Sequence, residues 1–188
     1  IVSQLDHHSL VMPWQNVAKE KGAKLVFVEL NEKNQITIEN FKKVLTKKTK
    51  IVNLTYVSNV LGVVAPVKEI TKLAHEIGAI VICDGAQAVP HMKVDVQDLD
   101  VDFLAFSGHK MLGPTGCGIL YGKYDLLNSL EPEEFGGDMN DGVEMYDSTF
   151  KDAPEKFEAG TPNIAGLIAL KPAIEYLSKL GMENVHNH

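Results

Sequence analysis

The chain has 188 residues, of which 45% are hydrophobic and 23% charged, an ordinary composition for a globular fold with one sizeable core. Its formal net charge of −7 argues against a nucleic-acid binder, which carries a basic face. No apolar run approaches the roughly 20 residues that a helix needs to span a bilayer, so no membrane partner is expected.

Apolar runs rich in β-branched residues alternate with longer amphipathic stretches. In chain order the pattern predicts a helix over 13–22, a strand over 25–30, a short helix over 38–45 and a strand over 50–57. A helix follows over 67–77, opened by Pro66, and then strands over 79–83, 102–106 and 118–121. The segment 131–156 is rich in Gly, Asp, Glu and Met, lacks periodicity, and reads as a long surface loop or interface arm. A last helix spans 163–180, with Gly181 as its stop signal. Alternation of this kind predicts an α/β domain built on a mostly parallel sheet flanked by helices, with ligands at the carboxyl ends of its strands.

The chain starts at Ile1 rather than a Met and stops at His188 soon after a helical pattern, so it reads as a piece of a longer protein. No signal peptide is expected in its first residues. Cys83 and Cys117 each lie in an apolar stretch without a CxxC neighbour. They are expected to be buried free thiols in a reducing, cytoplasmic compartment, with no disulfide and no metal site.

Two strand ends carry the chemistry. The run 79–83 ends in Asp84-Gly85-Ala86-Gln87-Ala88, and the run 101–106 leads into Ser107-Gly108-His109-Lys110-Met111-Leu112-Gly113-Pro114-Thr115-Gly116. A carboxylate and a lysine leaving buried strands suit pyridoxal 5′-phosphate (PLP). The lysine can form the Schiff base, and the aspartate can keep the pyridine nitrogen protonated. Each residue also has an ordinary reading. Lys110 can be a solvated lysine, and Asp84 can cap the turn at Gly85-Ala86. Gln87 can reach a ring hydroxyl. One of His7 and His8 can stack on a flat cofactor or be a surface residue. Ser107 and His109 offer phosphate donors or plain loop polarity. Thr161, with Pro162 behind it, reads as the cap of the last helix, which is also an anion site. A Walker A reading of Gly108-His109-Lys110 fails on glycine spacing and on the lack of a following Ser or Thr.

Taken together, Asp6-His7-His8-Ser9, Tyr56-Val57-Ser58-Asn59-Val60-Leu61-Gly62, Asp84-Gly85-Ala86-Gln87-Ala88, Ser107-Gly108-His109-Lys110, Gly113-Pro114-Thr115-Gly116 and Phe157-Glu158-Ala159-Gly160-Thr161-Pro162-Asn163 nearly span the chain. In these stretches and their order it resembles the class V aminotransferases of the fold-type I PLP enzymes, above all the SufS-type cysteine desulfurases. The resemblance implies Lys110 as the Schiff-base residue and His7 as the ring-stacking residue, with a part in proton transfer. It implies Asn59 and Gln87 on the ring-hydroxyl side, Asp84 on the pyridine nitrogen, and Ser107 and His109 on the phosphate. Gly160 and Thr161 match the segment that reaches a neighbouring subunit's phosphate, which implies a homodimer. Asp6 stands where the family commonly has Glu. Residues 1–188 would then be most of the large PLP-binding domain, without its N-terminal start and without the C-terminal small domain. The family's upstream phosphate turn, its catalytic cysteine and its substrate-binding arginine have no match here. The implied reaction takes sulfur from L-cysteine, leaves alanine and an enzyme persulfide, and supplies a sulfur-acceptor protein for iron–sulfur cluster assembly; the fragment alone is expected to be inactive. Alternatives are a selenocysteine lyase or amino-acid epimerase on the same scaffold, and an inactive truncated assembly domain.

Overall fold

The structure is a computed structural model and describes residues 1–188. Three strands, β3 (Ile51–Thr55), β4 (Ile80–Asp84) and β5 (Phe103–Ser107), run parallel side by side, and β6 (Gly118–Gly122) closes that side antiparallel to β5. On the other side lie β1 (Val2–Ser3) and β2 (Phe27–Val28), parallel to each other. The Asn53 N–H donates to the Ile1 carbonyl at 2.9 Å, and the Ile1 amino group donates to the Ile51 carbonyl at 2.7 Å, which sets β1 beside β3. The layer therefore reads β2-β1-β3-β4-β5-β6, and the chain reverses its direction of growth between β1 and β3. Ligand crevices of open α/β sheets form at such a reversal, beyond the carboxyl ends of the strands.

Strand register decides which face is core. Leu54, Cys83 and Leu104 are opposite one another and buried with Val52 and Val81 in one apolar cluster. The alternate residues Thr55, Asp84 and Ala105 are also in register and point the other way. The core face is covered by α2 (Ile38–Val44) and α3 (Val67–His75). Thr37 caps α2 by accepting from the Asn40 N–H at 3.1 Å. On α3, Val67, Ile70, Thr71 and Ala74 are buried, the spacing of one helical face. Ile70 has no exposed surface, a burial that stabilises by about 1.5–3 kcal/mol.

The amino end of β5 is pinned by charge. Asp102 is buried and accepts from the Val81 N–H at 2.7 Å, from His75 Nε2 at 2.9 Å and from Lys123 Nζ at 3.0 Å. Burial alone would raise its carboxyl, but the Val81, His75 and Lys123 hydrogen bonds win and hold it below the usual carboxylate value.

Several boundaries differ from the sequence reading. The first helix, α1, runs over His8–Lys21 and starts well before Pro13, which lies inside it. Its cap is His7, a residue outside the favoured capping set, so the start was hidden. The strand expected over 25–30 is only Phe27–Val28. Short helices α4 (Ala88–His91), α5 (Val96–Leu99) and α6 (Tyr124–Ser129) follow β4 and β6, too short to show a period. The segment 131–156 is not only loop: β7 (Asn140–Val143) and β8 (Ser148–Phe150) form a hairpin with a register shift between Asn140 and Gly142. The last long helix, α7, covers Ile164–Leu180 and ends at Gly181, with α8 (Met182–Asn187) after it. Its cap is Asn163, which accepts from the Gly166 N–H at 3.1 Å, and not Thr161, which lies outside the helix with Pro162.

Candidate active site

A cleft of about 270 Å³ opens beyond the carboxyl ends of β1, β3, β4 and β5, next to the reversal point. His7, Asn59, Asp84, Gln87, Ser107 and Lys110 all line it. They come from four chain segments and were each singled out in the sequence.

Lys110 ends a single 3₁₀ turn, Gly108–Lys110, directly after β5. Both flanks of that turn are tied back. The Gly108 N–H donates to the Cys117 carbonyl at 2.8 Å, while Met111 and Gly113 N–H donate to the Gly108 carbonyl at 3.0 and 2.9 Å. A Cβ at Gly108 would meet Leu170 of α7 at 2.7 Å, and one at Gly113 would meet Leu170 at 2.6 Å and the Gly108 oxygen at 2.8 Å. At Gly113 the Gly108 backbone oxygen leaves room for glycine alone, whereas at Gly108 the nearest atom is the mobile end of Leu170. The Lys110 side chain is exposed, between the cleft and a second, apolar hollow of about 530 Å³ formed with Met111, Leu112, Leu177 and Val185.

Asp84 is the last residue of β4, and its Oδ1 accepts from the Ala86 N–H at 2.9 Å. The turn-cap reading is therefore satisfied by one oxygen. The other has no protein partner and is free for a ligand. Gln87 follows in the same turn, ahead of α4. Asn59 sits in a turn shaped by buried Ser58, whose Oγ accepts from Val60 and Leu61 N–H at 3.3 Å each. Gly62 closes that turn with φ 66°, a left-handed conformation suited to glycine.

His7 and Ser9 guard the other side. Asp6 anchors this corner: it is buried and accepts from Ser3 N–H at 2.6 Å, Ser3 Oγ at 2.7 Å and Thr55 N–H at 2.9 Å. Burial pushes its carboxyl above the ordinary value, against the pull of those hydrogen bonds, and the charge of Asp84 pushes in the same direction. Burial likewise pushes the Cys83 thiol up, with Asp84 and Asp6 adding to the effect, so Cys83 stays a thiol. Cys117 is buried as well.

The donor set fits a phosphorylated pyridine. Asp84 lines the cleft with one oxygen unpartnered, so a cationic group placed beside it is favoured. Lys110 provides an amine and Ser107 a hydroxyl at the same rim. His109, Gly160 and Thr161 do not line the cleft. His109 is exposed in the lysine turn, and Gly160 and Thr161 are exposed on the stretch before α7. Thr55 and Ser9 line the cleft but were not singled out. Ser9 had a signal, its place beside His7, whereas Thr55 is revealed only by its register opposite Asp84. Among these residues no group of His, Cys, Asp and Glu is arranged to hold a metal.

The family model for aminotransferase class V matches residues 1–188. The chain belongs to this family. It is 53% identical over its whole length to a probable cysteine desulfurase of Halalkalibacterium halodurans, covering 46% of that protein. The crystal structure of the Escherichia coli cysteine desulfurase CsdA (S-sulfonic acid) superposes with a TM-score of 0.93 at 42% identity, over 97% of this chain and 46% of that one. The apo cysteine desulfurase of Thermococcus onnurineus gives 0.91 at 40% identity with the same coverage. This class V chain is thus a fold-type I domain with a mixed, mostly parallel sheet, and it spans about half the length of the relatives it matches. No helix in it is long and apolar enough to cross a membrane.

Proposed function

We propose that the chain is the cofactor-holding part of a PLP-dependent cysteine desulfurase, which converts L-cysteine to L-alanine and leaves the sulfur on an enzyme thiol. The observation that carries the reading is Lys110 and Asp84 on one cleft, in a chain whose relatives bear that name. When bound, PLP supplies an electron sink for the substrate's α-carbon.

The chain's residues divide the remaining work. Lys110 Nζ would hold the cofactor, since it is the amine at the cleft rim. Asp84 keeps the pyridine nitrogen protonated through its free oxygen, while its Oδ1 holds the turn. Gln87 and Asn59 would bond the ring hydroxyl and Ser107 the phosphate, which His109 would reach from the adjoining lysine turn, outside the cleft lining. His7, on the cleft lining, would stack on the ring and serve in proton transfer. Thr161 and Gly160 are exposed and serve the phosphate of a second subunit in a homodimer. Buried Cys83 and Cys117 do not take the sulfur, so the accepting thiol lies outside residues 1–188. The sulfur then passes to an acceptor protein, in the cytoplasm, for iron–sulfur cluster assembly. Residues 1–188 alone do not desulfurate cysteine.

The test is titration of the full-length protein with PLP, followed by visible absorption and alanine release from L-cysteine. A PLP band that forms in the wild type and not in Lys110→Ala, with alanine formation above the free-cofactor rate, is expected. Absence of both in the wild type overturns the reading.

A further inference from the structure

The start of α1 breaks a capping rule. His7 occupies the cap, where Ser, Thr, Asp or Asn is favoured, and its ring nitrogen does the work of their oxygen. Nδ1 accepts from the Ser9 backbone N–H at 3.2 Å and lies 2.7 Å from Ser9 Oγ. A backbone N–H can only donate. The Nδ1 that receives it must therefore present a lone pair, and a neutral ring then carries its proton on Nε2. Ser9 Oγ has no other partner, so its hydroxyl hydrogen is free to turn toward the same lone pair.

We propose that Ser9 is a positioning residue that fixes both the orientation and the tautomer of His7, leaving Nε2–H as the nitrogen available to the cleft. Both residues line the cleft. The arrangement is braced from the preceding residue, because buried Asp6 is tied to Ser3 and Thr55 and fixes where the chain enters α1. The role of His7 in the reaction rests on the function proposed above, and it is sharpened here. Neutral His7 meets the cleft as a donor at Nε2. It cannot receive a proton there without first changing tautomer, which Ser9 opposes. His8 is the contrast: it is also exposed, its ring centroid is 6.2 Å from that of His7, and its ring makes no hydrogen bond.

The test is nitrogen NMR of the full-length, cofactor-free protein carrying ¹⁵N-labelled histidine, in alkaline buffer where imidazoles are neutral. His7 is expected to show one tautomer, with a bare Nδ1 and a protonated Nε2, and His8 the mixture of a free imidazole. Ser9→Ala keeps the backbone N–H and loses only the hydroxyl, so it should move His7 part of the way toward the His8 mixture, and Ser9→Thr should restore it. A wild-type His7 protonated at Nδ1 overturns the proposal, as does a Ser9→Ala spectrum identical to wild type. The readout needs neither PLP nor turnover. A protein that shows the pattern but binds no PLP defeats the functional reading alone, and one that binds PLP with Nδ1 protonated defeats this proposal alone.

Discussion

The Gly113 N–H donates to the Gly108 carbonyl at 2.9 Å, so Lys110 is carried on a loop of chain closed at both ends. Leu170 of α7 packs against both glycines. Gly113→Ala would drive a methyl into that carbonyl oxygen, which is backbone and has little room to give. The substitution should destabilise the fold by about 1–3 kcal/mol in urea denaturation and weaken PLP uptake. An unchanged midpoint would show that the turn tolerates the methyl by shifting.

Lys110→Ala separates chemistry from folding. The side chain is exposed and makes no hydrogen bond or ion pair, so stability should stay within about 0.5 kcal/mol of wild type. The borohydride-reducible PLP adduct should disappear. A variant labelled like wild type would move the attachment point elsewhere.

Asp84→Asn keeps an oxygen for the Ala86 N–H, so the turn should survive. What it removes is the charge proposed to face the pyridine nitrogen. Turnover of the full-length enzyme should fall at least about 10-fold, a loss of about 1.4 kcal/mol in transition-state stabilisation, with little change in melting. Near-normal activity would reduce Asp84 to its capping role.

The Asp102 cluster predicts the pH profile of stability. Asp102 and Asp100 both sit below the usual carboxylate value. Their contribution is full above the unfolded carboxylate range and is lost as pH falls through the lowered folded values. Lys123 sits above its ordinary value, so its share is full below that value and is lost as pH climbs through the raised one. Asp6 works the other way. Its raised carboxyl favours the fold at low pH and loses that advantage as pH rises through its folded value. Asp102→Asn should cost about 1–3 kcal/mol at neutral pH and flatten the acid limb of denaturation curves measured across pH. An acid limb as steep as wild type would place the titration on other carboxylates.

Shared sites in a dimer are open to subunit mixing in the full-length protein. A Lys110→Ala subunit paired with a Thr161→Ala subunit leaves one site with both lesions and one with neither. Activity of the mixture well above either parent is expected. A mixture no better than its parents counts against Thr161 acting across the interface.

The β-α-β rhythm and the two strand ends that meet at the cleft were legible because each is local. A buried strand is a run of apolar residues, and Asp84 and Lys110 follow such runs directly. What was not legible depends on distance or on an exception. Asp6 meets Thr55 across 49 positions, and no sequence pattern announces that pairing. His7 caps α1 in place of a favoured residue, and Pro13 offered a false start. Thr161 looked like the cap of α7, but Asn163, two positions on, takes that place. The β7–β8 hairpin was obscured by its own irregular register, which breaks the alternation that reveals strands.

β6 is the outermost strand of its side of the sheet, and Ile119 and Leu120 on it are exposed. It carries no charged residue along Gly118–Gly122 to discourage another strand from pairing with it. Residues 1–188 prepared alone are therefore prone to self-associate edge to edge, turning cloudy as concentration rises. Leu120→Lys would place a gatekeeper charge on that border and keep the preparation clear without touching the cleft.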